Sequence, residues 1–459
     1  MENTPFRLAL VNLCEDAYGY GAGAAEYLEA AVRSAPELRD RVDVRIFFLQ
    51  GSTAEQAAET VLAWSPDLVG FSAYSWNLAI TGETSRIMRR LAPERPIVWG
   101  GCSFLHLRQR HDWFEWWDAV DAVVVGYGEL TLIELLGRLL ERPGRRTASQ
   151  LAPGLVTQVD GVVRSGPPGR QPMCSDQIPS PYLLGSARHV PRPYVEMARG
   201  CVFNCTFCSD AKSSRQIPFL HHPADRIAAE IAHIVAWPEA EWIDAGASTA
   251  NVSDQAFLDV CEAIRRGDPN QRLQYSFQLY PSLVRPGHRD ALQGIRIGKH
   301  LIGLQSLSPA TFAPMRRGSR LEHLRRAVDL LAGTGPIHVS VILGLPGETL
   351  ASFAQMMDLL VEIEPLRISV HRLLVLPGTQ MHTQSEALGL KFDPKLFYRA
   401  TQSSSMSNDD LRAAQELVME HGRRSDRAGG DRFRIDWTNF DIQRKAFDPP
   451  IPEDANSVE

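Results

Sequence analysis

The chain has few cysteines, no excess of basic residues and no long apolar run. Its 459 residues include seven cysteines, a sparse and odd set unlike the framework of a disulfide-rich secreted domain. The 48 basic and 54 acidic residues give a net charge of −6, which argues against nucleic acid as a partner. No run of about 18 apolar residues and no amino-terminal signal segment occurs, so we expect a cytoplasmic location without a membrane partner.

Short apolar runs alternate with helical periodicity over residues 1–142. The predicted strands are Arg7–Asn12, Val42–Leu49, Leu68–Ser72, Ile97–Gly100 and Ala122–Val125. This alternation predicts an α/β domain with a doubly wound, Rossmann-like parallel sheet. Ligands of such sheets bind beyond the carboxyl ends of the strands, so the loops after the strands are the candidate binding segments.

Residues 143–192 are rich in proline and predict a linker that carries one small hairpin, Gly154–Val163. The alternation of strands and helices then returns over residues 193–380. Its six strand–helix units predict a partial (β/α)6 barrel, whose chemistry is expected at the carboxyl ends of the strands. Residues 381–459 are expected to form a small C-terminal cap that includes a helix at Asp409–His421.

Three cysteines lie close together directly after the first predicted barrel strand, at Cys201, Cys205 and Cys208. The pattern C-x₃-C-x₂-C can supply thiolates to three irons of a [4Fe–4S] cluster and leave the fourth iron open for chemistry. A zinc site is the alternative. It would need a fourth Cys or His ligand, for which His221 and His222 are the nearby candidates.

The cysteine motif resembles that of the radical S-adenosylmethionine (SAM) superfamily, and the resemblance covers residues 190–385. It implies that the open iron binds SAM, and that an electron from an external reductant such as flavodoxin or ferredoxin leads to a 5′-deoxyadenosyl radical. The glycines of Gly344-Leu345-Pro346-Gly347 would let the backbone approach the base, and Glu348 is expected to begin the next helix. The SAM-binding residues that this resemblance implies are Phe207, Asp244, Ser248, Gln305, Arg317, Gly344 and Gly347.

Three segments of the N-terminal domain resemble the cobalamin-binding domain of one branch of that superfamily: Pro66–Ser72, Val98–Gly101 and Asp121–Glu129. The chain lacks the Asp-x-His-x-x-Gly motif whose histidine ligates cobalt in many cobalamin enzymes, so the sequence names no protein ligand for cobalt. We interpret Trp76 as a shield that keeps water from the cobalt. The cobalamin-binding residues that the resemblance implies are Ser72, Tyr74, Ser75, Trp76, Gly100, Gly101, Gly126, Tyr127 and Gly128.

The two resemblances together imply a cobalamin-dependent radical SAM C-methyltransferase. It would act on an unactivated carbon of a small-molecule or peptide substrate in specialised-metabolite biosynthesis, such as that of an antibiotic. Three alternatives remain open: a non-methylating rearrangement or cyclisation enzyme, a methylthiotransferase with a second cluster, and a non-catalytic cobalamin or cluster sensor. Cys14 and Cys102 lie after strands, as ligands of a second cluster would, but the third position is not matched, because Cys174 lies in the linker. Possible substrate contacts are Tyr398, Arg399, Trp437 and Asn439.

Overall fold

The computed structural model describes residues 4–14, 23–74, 77–101, 104, 107, 114–141, 152–159, 161–211, 219–363, 366–394, 398–427 and 433–436. Five residues singled out by the sequence patterns lie outside these ranges: Ser75, Trp76, Cys102, Trp437 and Asn439. The chain divides into two compact units. The first comprises Met1–Val202, Ser209–Ser248 and Asp259–Tyr275, and the second comprises Phe203–Cys208, Thr249–Leu258 and Ser276–Glu459.

The first unit contains a seven-stranded sheet. Its strands are β1 (Phe6–Cys14), β2 (Val42–Gln50), β3 (Leu68–Ser72), β4 (Ile97–Gly100), β5 (Ala122–Val124), β6 (Leu155–Val159) and β7 (Val162–Ser165). Their order is β2-β1-β3-β4-β5-β6-β7, and β1 to β5 run parallel. The strand order changes direction between β1 and β3, where open parallel sheets bind their ligands.

Helices cover both faces of this sheet, because each central strand is apolar on both sides. They are α1 (Gly23–Ser34), α2 (Ala54–Ala63), α3 (Leu78–Leu91) and α4 (Glu129–Glu141). Leu8 and Leu10 of β1 belong to the apolar cluster that includes residues of α1 and α4. Ala9 and Val11 belong to the cluster that includes residues of α2 and α3. Successive side chains of a strand point to opposite faces, so the predicted doubly wound α/β sheet is confirmed.

The hairpin expected in the proline-rich segment forms and extends this sheet. Its first strand, β6, pairs antiparallel with β5, and β7 pairs antiparallel with β6. The outer edge of β5 would otherwise present unpaired backbone groups, and pairing with β6 satisfies them.

Strands and helices also alternate after residue 193. The strands are β8 (Tyr194–Glu196), β9 (Ala198–Arg199), β10 (Leu220–His221), β11 (Trp242–Gly246), β12 (Gln274–Leu279), β13 (Ile297–Gln305), β14 (Ile337–Leu343), β15 (Leu366–Arg372), β16 (Lys391–Asp393), β17 (Arg399–Gln402) and β18 (Phe433–Asp436). The helices are α5 (Ala224–Val235), α6 (Asp254–Gly267), α7 (Pro286–Ala291), α8 (Phe312–Met315), α9 (Leu321–Leu331), α10 (Leu350–Val361), α11 (Gln380–Thr383) and α12 (Asn408–Arg427).

Parallel pairing dominates here as well. In the first unit β8 pairs in parallel with β11. In the second unit β13, β14, β15 and β18 are consecutive parallel neighbours. The α/β class predicted for this part of the chain is therefore confirmed, and the C-terminal segment adds a strand, β18, that the sequence patterns did not predict. In the part of the chain that the structure describes, no helix combines the length and hydrophobicity needed to span a bilayer.

Candidate functional site

The loop that carries the three clustered cysteines is anchored between its second and third thiols. Cys205 is buried, whereas Cys201 and Cys208 are partly exposed. The Thr206 N–H donates a hydrogen bond to Met315 O at 3.0 Å, and the Thr206 carbonyl accepts one from the N–H of Met381 at 2.8 Å. Thr206 itself is buried. Both peptide groups of this residue therefore fix the loop against neighbouring segments of the second unit.

The three candidate metal ligands in this loop are all thiols. A cubane cluster takes one thiolate on each of three irons, so its ligands do not have to converge on one ion. Among the described residues, no group of three His, Cys, Asp or Glu side chains is placed to hold a single metal ion. His222, a candidate in the zinc alternative, is buried, with Nδ1 2.6 Å from Ser175 Oγ and Nε2 3.8 Å from Glu196 Oε1. Nδ1 thus already has a hydrogen-bond partner, whereas the buried Nε2 has none among the described residues.

Arg317 lies beside the second cysteine. Its Nη1 is 3.6 Å from Cys205 Sγ, and its Nη2 donates to Gly303 O at 2.5 Å. The guanidinium carbon lies 4.1 Å from the centre of the Tyr280 ring, within the range of a cation–π interaction. Its Nε is buried and has no hydrogen-bond partner within the described ranges. The arginine that the resemblance assigns to the SAM carboxylate thus lies next to a predicted cluster ligand. Its Nε–H has no partner among the described residues and can donate a further hydrogen bond.

Gln305 ends β13 in an unusual backbone conformation. Its φ is +72°, in the left-handed region that non-glycine residues adopt at a cost. The register with β14 shifts between Gly303 and Gln305, as in a bulge that redirects a side chain. A Cβ on Gly303 would lie 2.9 Å from Gln305 Nε2 and 3.0 Å from Arg317 Nη2. The structure therefore brings Gln305 and Arg317 together over the bare backbone of Gly303.

The two glycines of the turn after β14 have positive φ angles, +98° at Gly344 and +89° at Gly347. A Cβ on Gly347 would lie 2.4 Å from Ala310 O. The N–H of Gly347 donates to Ser405 Oγ at 2.9 Å. Protein packing alone thus requires glycine at position 347, whatever else this turn contacts.

Glu348 does not begin the next helix as expected. Thr349 is the N-cap of α10 and forms a capping box with Ser352. Glu348 is fully buried and accepts a hydrogen bond from the Ser306 hydroxyl at 2.5 Å. Burial raises the pKa of Glu348 to about 8, so this carboxyl group is mostly neutral at pH 7.

The segment after β11 forms a hydrogen bond to Asp210, within the first unit. The Ser248 hydroxyl donates to Asp210 Oδ2 at 2.9 Å. Asp210 follows Cys208 by two residues, and no sequence pattern singled it out. Asp244 is a partly buried residue of β11 whose N–H donates to Pro193 O at 3.2 Å.

The predicted adenine contact, Phe207, is partly buried. It packs against an apolar cluster of the second unit: Met315, Leu345, Leu373, Val375, Met381, Leu390 and Ala400. Of the possible substrate contacts, Tyr398 is also buried, with its ring centre 5.9 Å from that of Phe392. Arg399 begins β17 and is partly buried.

At the other candidate site, the ends of β1 and β3 are joined by Asn77, which the sequence patterns missed. Its amide donates to Leu13 O and to Ser72 O, each at 3.0 Å. Its Oδ1 accepts a hydrogen bond from the Tyr74 N–H at 2.7 Å. Asn77 is 1% exposed. Its position just after a strand end at the reversal of the sheet was the available signal.

The four glycines predicted to bind cobalamin differ in how closely other atoms of the protein approach them. A Cβ on Gly101, whose φ is +142°, would lie 2.1 Å from Ala73 O. A Cβ on Gly126 would lie 2.7 Å from Gln171 Nε2, and one on Gly128 would lie 3.0 Å from a methyl carbon of Leu28. A Cβ on Gly100 would meet only Val124, at an ordinary 3.8 Å. Backbone contact therefore requires glycine at position 101, the φ of +99° favours glycine at position 126, and nothing in the packing requires glycine at position 100.

Tyr127, between two of these glycines, is engaged by a buried ion network. The Arg199 guanidinium lies 4.3 Å from the centre of the Tyr127 ring. Arg199 Nη1 lies 2.8 Å from Glu129 Oε1, and its Nη2 donates to Glu196 Oε2 at 2.8 Å. All three charged side chains are under 9% exposed. In addition, the N–H of Tyr127 donates to Gln171 Oε1 at 2.9 Å.

Comparison with known proteins yields two family matches. Residues 195–360 match the model of the radical SAM superfamily, and residues 24–136 match that of the B12 binding domain. These matches confirm the two predicted domain classes and the cofactor classes that belong to them.

Two relatives and one solved structure of similar fold illustrate the likeness. An uncharacterized methyltransferase of Pyrococcus horikoshii is 27% identical over 69% of this chain and 69% of its own length. The 2-(S-pantetheinyl)-carbapenam-3-carboxylate methyltransferase of Streptantibioticus cattleyicolor is 27% identical over 81% of this chain, but this chain spans only 56% of that protein. The structure of the radical SAM methyltransferase TsrM from Kitasatospora setae, with tryptophan substrate and a SAM analogue bound, has a TM-score of 0.65 at 20% identity. The match covers 84% of this chain and 77% of the TsrM chain.

Proposed function

We propose that this chain, a radical SAM enzyme with an N-terminal B12-binding domain, is a cobalamin-dependent C-methyltransferase. Its substrate would be a small molecule or peptide of specialised metabolism that carries an unactivated carbon. The names of two relatives, both methyltransferases, support the reaction type, and the carbapenam substrate of one supports antibiotic biosynthesis as the setting.

The observation that carries this proposal is the convergence of Gln305 and Arg317 beside Cys205. A planar guanidinium with an unpartnered, buried Nε suits a carboxylate, which it can bind through two parallel hydrogen bonds. The amide of Gln305 lies over Gly303 next to this cation and could reach the ribose hydroxyls. Both side chains thus suit SAM, whose carboxylate and ribose would have to lie close to the cluster.

Cys201, Cys205 and Cys208 would hold the [4Fe–4S] cluster, and Ser248 and Asp244 would take the SAM amino group, with Phe207 on the adenine. With the cluster and cobalamin bound, the overall reaction would consume two SAM molecules and two electrons from an external reductant and would convert a substrate C–H bond to C–CH₃. The hydrogen would leave in 5′-deoxyadenosine, with methionine and S-adenosylhomocysteine as the other products. Atoms and charges balance in this overall reaction, and no proton is taken up or released.

The strand ends of the first sheet would hold cobalamin. Gly100 leaves space that packing of the protein does not need, which suits the passage of the nucleotide tail at the end of β4. Ser72 and Tyr74 lie at the end of β3, where Asn77 fixes the backbone. The turn at Gly126, Tyr127 and Gly128 would contribute backbone contacts.

Anaerobic reconstitution followed by incubation with methyl-labelled SAM and candidate substrates tests the proposal. We expect one [4Fe–4S] cluster per chain, the visible spectrum of bound cobalamin, and transfer of the label to substrate carbon with formation of 5′-deoxyadenosine. The matched control is a triple alanine variant of the three clustered cysteines, which should lose the cluster and the label transfer together.

Three results would replace the proposal by one of the alternatives. Deoxyadenosine formation with an unlabelled, rearranged product would indicate a rearrangement or cyclisation enzyme. Two clusters per chain without cobalamin would indicate a methylthiotransferase. Cobalamin binding with no cleavage of SAM under strong reductant would indicate a sensor.

A further inference from the structure

Tyr280 lies between the cysteine loop and Arg317. Its ring is stacked on that of Phe203, with 4.7 Å between the ring centres and 25° between the planes. The guanidinium of Arg317 lies 4.1 Å from the centre of the same tyrosine ring. Phe203 belongs to the loop, between Cys201 and Cys205. An aromatic ring with these two neighbours restricts where the cation can go.

The tyrosine is itself held firmly. Its N–H donates to Asn251 Oδ1 at 2.8 Å, and its carbonyl accepts from Asn251 Nδ2 at 3.1 Å. Its hydroxyl donates to Gly318 O at 3.3 Å, next to Arg317 in the chain. Asn251 is 1% exposed and Tyr280 is 9% exposed. The ring is therefore fixed at its backbone end by a buried amide and at its hydroxyl end by the segment that carries Arg317.

The sulfur end of the arrangement is fixed by a different residue. Thr206 follows Cys205 directly, and its hydroxyl donates to Pro314 O at 2.6 Å. Its N–H donates to the next carbonyl, that of Met315, at 3.0 Å. Arg317 lies only two residues further on. The 3.6 Å between Arg317 Nη1 and Cys205 Sγ thus joins two anchored backbone segments.

We propose that Tyr280 is a positioning residue that holds the Arg317 guanidinium against the Cys205 sulfur and thereby favours the reduced state of the cluster. The inference rests on the proposed ligation of the cluster by Cys205. Reduction adds one electron, and so one negative charge, to a cluster whose potential depends on hydrogen bonds to its sulfurs and on nearby charge. A cation held at the thiolate stabilises that added charge.

The test is an anaerobic redox titration of the reconstituted chain, monitored by electron paramagnetic resonance in the absence of SAM, cobalamin and substrate. A chemical reductant supplies the single electron. Tyr280→Leu should lower the ratio of reduced to oxidised cluster at a fixed potential about tenfold, which is about 59 mV for a one-electron couple. Arg317→Met, which removes the cation, should lower it at least as much.

Two further variants separate the ring from other effects. Tyr280→Phe keeps the stacked ring and both backbone bonds to Asn251 and loses only the hydroxyl bond to Gly318 O, so the potential should shift much less than in Tyr280→Leu. Arg320→Met removes a charge from an arginine that is 70% exposed in the same segment, and it should leave the potential unchanged. Tyr280→Met keeps a long apolar side chain, so it tests the ring if Tyr280→Leu does not fold, and it should shift the potential in the same direction.

Equal potentials in the wild type and in the folded variants that lack the ring, at equal cluster content, would overturn the role of Tyr280 while leaving the proposed function intact. A shift of the same size in Arg320→Met would also overturn it, because loss of charge anywhere in the segment would then suffice. A wild-type chain that binds no [4Fe–4S] cluster would overturn the proposed function and this inference with it.

Discussion

The surroundings of Cys205 consist mainly of oriented side chains, whereas the strand ends of the first sheet expose mainly backbone. Around Cys205 the structure uses aimed side chains, with Arg317 over Gly303 and stacked on Tyr280. At the strand ends of the first sheet it uses bare backbone, at Gly100 and Gly101, braced by the neutral amide of Asn77.

The difference follows from what each region is proposed to hold. SAM is small and carries charges that need oriented partners, whereas the tail of cobalamin is long and needs room between strand ends. We therefore expect substitutions near Cys205 to act on electrostatics. We expect substitutions at the strand ends to act on backbone position.

Arg199 gives the strongest test of the difference between the two regions, because it is a buried charge beside the turn at Gly126, Tyr127 and Gly128 of the first sheet. Arg199→Met would leave the carboxylates of Glu129 and Glu196 buried without their cation, and loss of one partner from such a network costs about 3–5 kcal/mol. We expect the free energy of unfolding in urea to fall by about that amount, with cobalamin affinity of the folded fraction unchanged within about twofold.

The matched control is Arg266→Met, which removes an exposed arginine paired with Asp225 at 2.7 Å. Surface pairs contribute about 0–1 kcal/mol, so its unfolding should barely change. If Arg199→Met kept its stability but lost cobalamin, a buried charge would serve the cofactor in this region too, and the contrast would fail.

Asn77 tests the other half of the contrast, the bracing of backbone. Asn77→Ala removes the amide that donates to Leu13 O and to Ser72 O, and each lost hydrogen bond to a buried or partly buried group costs about 1–3 kcal/mol. We expect a loss of about 2–4 kcal/mol in urea unfolding and, unlike Arg199→Met, weaker cobalamin binding by the protein that remains folded.

Asn77→Asp is the matched variant, since its carboxylate keeps the acceptor for the Tyr74 N–H but loses both donors. It should also weaken cobalamin binding. Cobalamin affinity equal to that of wild type in both variants would show that the ends of β1 and β3 need no bracing for the ligand.

The sequence was sufficient for the features that depend on local pattern. Alternating apolar runs predicted β3 (Leu68–Ser72) and β4 (Ile97–Gly100) to the residue, and the cysteine spacing pointed to the cluster. It was insufficient where the partner is distant. Asn77 bonds to Leu13 across 64 residues, and the hairpin expected in a linker pairs with β5. Such contacts depend on tertiary packing, which no local periodicity records.

Glu348 was expected to begin a helix, and its burial could not be read from the turn sequence alone. Its pKa of about 8 lies above the value near 4.5 of an exposed glutamate, because burial disfavours the charged form. The stabilising contribution of the neutral acid is therefore complete below about pH 4.5 and is lost progressively as the pH rises from there to about 8. Glu348→Gln does not titrate and keeps an acceptor for Ser306.

We therefore expect wild type to lose about 1–2 kcal/mol relative to Glu348→Gln between about pH 6 and pH 7.5, in urea unfolding measured side by side. Subtraction at each pH cancels the titration of Glu26, whose pKa is also raised, to about 7, by burial. Parallel pH profiles of the two proteins would show that Glu348 is charged in the fold. A charged Glu348 beside Ser306 would add an anion to the region of Gln305, and the side-chain electrostatics that we assign to the surroundings of Cys205 would then have to include it.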